Sequence, residues 1–103
     1  MLPKSINVLG QKYKVITKLP KNHERKSDES DLMGLFDGFE KFIYVNTKHG
    51  EEITKRSFLH EFYHAVQYRN GAMFDGTSMQ ILERDAETTS NAIYELIEQL
   101  GGW

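Results

Sequence analysis

Residues 53–71 read ITKRSFLHEFYHAVQYRNG, and the reading of this stretch decides the fold. From about Ile53, apolar residues recur at helical spacing: Leu59, Phe62, Tyr63 and Val66. Asn70-Gly71 supplies a stop, since a helix commonly ends on a residue that tolerates left-handed backbone. Inside the helix lies His60-Glu61-Phe62-Tyr63-His64, a match to H-E-x-x-H. Side chains four apart share one helix face, so His60 and His64 present two imidazoles to one point. Neutral imidazole binds zinc well, at about 2.0–2.1 Å. Glu61 is turned roughly 100° around the helix, beside such a metal, not ligating it. That is the position of a general base acting on a metal-activated water. With 4 His in the chain, chance supplies roughly 0.015 such matches.

On the C-terminal side, after a loop through Asp75-Gly76, Thr77 and Gln80 have the spacing of a capping box. Leu82, Ala86, Thr89, Ile93, Leu96 and Leu100 then form one stripe of a long second helix, which Gly101-Gly102 ends. Toward the N-terminus, Phe42-Ile43-Tyr44-Val45 is continuously apolar, as in a strand covered on both faces. Asp37-Gly38 before it is a hairpin signal between Leu35-Phe36 and the run Phe39 to Val45. Ile6 to Leu9 and Tyr13 to Ile16 flank Gly10-Gln11-Lys12 as two further short strands. Lys21 to Asp31 is polar and charged, and predicts a mobile surface loop with nothing to bury. Strands first and helices last argue for an α+β fold, a small antiparallel or mixed sheet followed by an active-site helix and a long C-terminal helix.

Composition narrows the function. The 103 residues amount to one domain, 1–103, with a thin core that a bound metal would help to stabilise. A net charge of −2 gives no footprint for nucleic acid or an anionic membrane. No signal-peptide run follows Met1-Leu2-Pro3-Lys4 and no stretch reaches membrane-span length, so the expected location is cytoplasmic. There is no cysteine, so any metal must be held by His and carboxylate. A catalytic zinc takes three protein ligands and keeps one position open. The residues leave the third ligand among His23, His49 and a downstream acid. His23, in the polar loop, is expected to be a solvated bystander, and His49 sits in a turn. Glu83 and Glu87, one turn apart on the second helix, are both in play if the helices pack antiparallel.

His60-Glu61-x-x-His64 followed by Glu83-Arg84-Asp85-Ala86-Glu87 resembles the ImmA/IrrE-like metallopeptidases of phages and mobile elements, over roughly Leu32 to Leu100. The hairpin Gly34 to Asn46 is similar to the strand pair that leads into that family's active-site helix. The resemblance implies a minimal zincin-like domain with Zn2+ as cofactor and Glu83 as the third ligand. Glu87 then becomes a candidate to fix the tautomer of a ligand imidazole. Thr88-Thr89-Ser90-Asn91 departs from the family's aromatic and aliphatic run at that place.

The reaction so implied is zinc-dependent peptide-bond hydrolysis with Glu61 as base, on a protein or extended peptide. The strand Phe39 to Asn46 offers edge pairing to such a substrate. Tyr44, His49, Tyr63, Tyr68 and Tyr94 are all available as oxyanion donors, and the sequence does not choose among them. The rival reading is a non-catalytic domain, zinc-stabilised or partner-binding, in which Glu61 has no chemical task.

Overall fold

The computed structural model describes residues 2–103. Strands β1 (Ser5–Val8) and β2 (Gln11–Ile16) come first, then a short 3-10 helix, Lys26–Asp31, and strands β3 (Gly34–Asp37) and β4 (Phe42–Val45). Helix α1 (Glu51–Arg69) and helix α2 (Met79–Gln99) complete the chain, with a 3-10 turn at Ala72–Phe74 between them. Strands and long helices are segregated along the chain, an α+β arrangement. Among the described residues no helix is long and apolar enough to cross a membrane.

The four strands form one sheet in the order β1-β2-β4-β3. Leu9 and Gly10 join β1 to β2 with φ of 48° and 89°, the positive pair that suits a tight hairpin. This places the turn one residue earlier than Gly10-Gln11-Lys12. Asp37-Gly38 does turn the chain, but β4 begins at Phe42, and Phe39 is exposed on the turn. The sheet is mixed: β3 is antiparallel to β4, whereas β4 runs parallel to β2, with Val15 opposite Ile43. The central place of β4 has its reason in β4 itself. All four of its residues are buried, so it needs a central place and cover on both faces. Ile43 and Val45 meet Phe58, Leu59, Ala65 and Tyr94 of the helices, while Phe42 and Tyr44 meet Leu19 on the opposite face.

Segment 17–33 provides that second cover; Lys21 to Asp31 lies at the surface with no buried residue, as expected, but it is tied down and not free. Leu19 and Leu32, at its two ends, pack on the sheet and draw the charged stretch across it. The Leu19 amide donates to Glu29 at 2.6 Å, and Lys26 Nζ donates to Glu29 at 2.7 Å and to the Leu19 carbonyl at 3.0 Å. The Tyr44 hydroxyl donates to the Glu29 carbonyl, and buried Asn46 donates to the Leu32 carbonyl. His23 is no solvated bystander: its Nε2 lies 2.8 Å from an Asp37 carboxylate oxygen, and its ring stands edge-on to Phe42. The composition of Lys21 to Asp31 gives no sign of this, because the apolar anchors Leu19 and Leu32 flank that run and the polar ones act over long range.

Helix α1 ends at Asn70-Gly71 as expected, with Gly71 left-handed. The start of α2 is capped by Ser78, whose Oγ accepts from the Ile81 amide, while Thr77 bonds Asp75. The buried stripe of α2 is Leu82, Ala86, Ser90 and Tyr94; Leu96 and Leu100 are exposed. A strict step of four, with small Ala86 and Ser90 in the middle, lets α2 lie close along α1.

The clamp on segment 17–33 has a pH signature. The Lys26 hydrogen bond first, and the Leu19 amide second, hold the Glu29 carboxyl below its ordinary 4.5. Folding therefore favours the ionised form. The anchor contributes fully above pH 4.5 and is lost as pH falls through the lower folded value. The hydrogen-exchange protection factor of the Leu19 amide is expected to be high at neutral pH, to drop in acid, and to drop at neutral pH in Glu29→Ala. A Leu19 amide unprotected in the wild type would contradict the clamp.

Candidate metal centre

The helices meet in a regular antiparallel match. Arg56 Nη1 donates to Asn91 Oδ1 at 2.5 Å, His60 Nδ1 lies 3.2 Å from Glu87 Oε2, and His64 Nε2 lies 2.6 Å from Glu83 Oε1. Each step of four along α1 is answered by a step of four back along α2, which is what antiparallel helices with facing i,i+4 rows produce. The Arg56 guanidinium also stacks 4.2 Å from the centre of the Tyr94 ring. This match delivers Glu83 to the two histidines named by the H-E-x-x-H spacing.

His60 and His64 stand with ring centroids 4.8 Å apart. Glu83 faces both: its second carboxylate oxygen is 3.5 Å from His60 Nε2. One ligand atom from each of His60, His64 and Glu83 falls within 4.8 Å of the others, a group able to hold a metal ion. The donor set, two imidazole nitrogens and one carboxylate oxygen without sulfur, fits that use. Glu87 takes no part in this group and instead approaches the opposite nitrogen of His60. Thus Glu83 and Glu87, which the residues alone leave unresolved, occupy different sides of one imidazole. His49 is exposed in the turn before α1, and His23 is engaged with Asp37; neither joins the group.

Glu61, one residue on from His60, turns inward against β3. It is 9% exposed and lies under Gly34, where an added Cβ would come 2.9 Å from Glu61 Cγ and 3.0 Å from the Tyr44 carbonyl oxygen. Burial, and next the nearby Glu83 charge, push its carboxyl up to about 8, with the Phe36 backbone N–H opposing. Gly34 is therefore a site residue that the sequence analysis lacks. Its signal, a glycine opening the hairpin segment, has no meaning until the sheet is packed on α1.

Gln67 is the second omission. This buried side chain places Oε1 2.8 Å from His64 Nδ1, and its Nε2 donates to the Leu82 carbonyl at 3.0 Å. The spacing of three from His64 is visible in sequence; the Leu82 carbonyl is not.

A cleft of about 580 Å³ opens along His60, Glu61, His64 and Glu83, walled by Gly34, Phe36, Tyr68, Met73 and Met79. A smaller one of about 360 Å³ continues past His60 and Glu61 toward Arg56, Glu87 and Asn91. Of the five side chains offered as oxyanion donors, Tyr68 lines the larger cleft. Tyr44 faces the other side of the sheet, and Tyr94 lies under Arg56. The edge expected from Phe39 to Asn46 is also reassigned. β4 is paired on both sides, and the strand with a free edge along the cleft is β3.

Comparison of the chain with family models, with curated proteins and with solved structures finds no match.

The seating of Glu61 against β3 is open to test without metal. Gly34→Ala is expected to lower stability by about 1–3 kcal/mol in urea unfolding, as overpacking does. Wild-type stability in this variant would mean that Glu61 does not lie against the strand.

Proposed function

We propose that this chain is a zinc metallopeptidase of the minimal zincin kind, hydrolysing a cytoplasmic protein or extended peptide, in keeping with its resemblance to ImmA/IrrE-like enzymes. The observation that carries the reading is the convergence of His60 Nε2, His64 Nε2 and the Glu83 carboxylate, with buried Glu61 beside them in an open cleft. Two imidazoles and one carboxylate form a catalytic type of zinc set, three protein ligands with a position left over. Zinc, when bound, polarises a carbonyl oxygen and lowers the pKa of water toward about 7.

The chain's own residues do the rest. Glu61 takes the proton of the attacking water and delivers it to the leaving amine. Its burial keeps bulk water from competing for that proton. Tyr68, on the cleft wall one turn beyond His64, is the hydroxyl best situated to donate to the oxyanion. The outer edge of β3, apart from the Phe36 N–H that meets Glu61, offers backbone hydrogen bonds to an extended substrate lying in the cleft.

Purified protein is expected to carry about one zinc per chain, lost in His60→Ala and in His64→Ala. Glu83→Ala should weaken binding severely, and Glu87→Ala by about 10–100-fold. Elemental analysis with a chelator titration reads all four; metal kept in both histidine variants would refute the site.

Glu61→Gln separates catalysis from binding. The amide keeps the shape but accepts no proton, so zinc content should be unchanged while cleavage in a proteome-derived peptide library falls about 10²–10⁴-fold. Full cleavage by Glu61→Gln would remove it from the mechanism, and loss of zinc would make it a ligand.

A further inference from the structure

Gln67 is 3% exposed and bonded at both ends, which is unusual expense for a surface-type residue unless it holds something. One end meets His64 Nδ1 at 2.8 Å; the other meets the carbonyl of Leu82, the residue before Glu83, at 3.0 Å. The chemistry of the two ends is fixed in one direction. A carbonyl only accepts, so the Gln67 amide nitrogen must face Leu82. Its oxygen then faces His64 and also only accepts, so His64 must present Nδ1–H. In the neutral ring that a metal ligand must be, the lone pair is then on Nε2, the atom that faces Glu83.

We propose that Gln67 is a positioning residue that sets the tautomer and ring orientation of His64 and ties it to the segment of α2 that carries Glu83. The role rests on the metallopeptidase reading for its purpose, but its hydrogen bonds do not. The two metal-facing histidines are supported differently. His60 has the carboxylate of exposed Glu87 at its Nδ1, which water and salt screen. His64 has a buried neutral amide, which they do not. A ligand histidine with such an acceptor at its other nitrogen binds more tightly, and removal of that acceptor typically weakens metal binding by about 10–100-fold. A two-ended amide also does what a lone acceptor would not: it fixes the separation between a ligand on α1 and the residue preceding a ligand on α2.

The test uses the full chain and zinc itself. Nitrogen-15 NMR of the wild-type imidazoles, with and without zinc, is expected to show a proton on His64 Nδ1 with slow solvent exchange. Gln67→Leu, close in shape but unable to bond either end, should lose that slow exchange and bind zinc about 10–100-fold more weakly in a chelator competition. Gln67→Glu restores an acceptor to Nδ1–H without a donor for Leu82, so it should recover affinity relative to Gln67→Leu even if it is no more stable. A merely structural clamp predicts loss of stability in both variants with zinc affinity unmoved, and that result would overturn the proposal. So would a wild-type His64 with Nδ1 unprotonated, whatever the variants do. A wild type that binds no zinc but shows the protected Nδ1–H would overturn the metallopeptidase reading while leaving the hydrogen-bonded relay in place.

Discussion

The whole arrangement hangs on the antiparallel match of α1 and α2. Two helices meeting with facing rows spaced by four bring Arg56 to Asn91, His60 to Glu87 and His64 to Glu83 in a single alignment. Slipping one helix by a turn would exchange Glu83 for Glu87 at His64, and a rotation would send both to solvent. The alignment is held by what lies beneath it. Ala86 and Ser90 are small and buried, so the backbones come close enough for short carboxylates to reach the imidazoles. Arg56 fixes the far end through Asn91 and the Tyr94 ring, and Gln67 fixes the near end through Leu82. Ser90 and Asn91, adjacent in sequence, thus both set the helix alignment.

The sheet supplies the third wall. β4 takes the centre because it is apolar throughout, which leaves β3 at the edge with its glycine against Glu61. A carboxylate can be buried this deeply only where a missing side chain makes room and polar atoms stand near. The same packing that raises its pKa aims it at the cleft instead of into solvent. Segment 17–33, clamped across the other face, keeps β4 from needing a second layer of helices, and so allows so small a chain to bury both faces of a strand.

Much of this was legible in the residues. The H-E-x-x-H spacing, the Asn70-Gly71 stop and the unbroken apolar run of β4 each depend on short-range periodicity, and each appears where expected. What was not legible depends on contacts distant in sequence. The parallel pairing of β2 with β4 needs the path of segment 17–33, whose anchors Leu19, Glu29 and Lys26 look like an ordinary charged loop. The register of the α2 stripe needs the knowledge that Ser90 is a packing residue rather than a polar one. The parts played by Gly34 and Gln67 exist only once Glu61 and Leu82 are set beside them. The separation of Glu83 from Glu87 is intermediate: the residues leave both in play, and the helix alignment sets them on different sides of His60.

The central claim is that one alignment of two helices builds a three-residue metal centre. Zinc X-ray absorption of the loaded protein addresses it most directly. The expected spectrum shows two imidazole nitrogens at about 2.0–2.1 Å, one or more oxygens at similar distance and no sulfur, in a four- or five-coordinate shell. A spectrum with no imidazole scattering, or a six-oxygen shell of loosely held surface zinc, would contradict it.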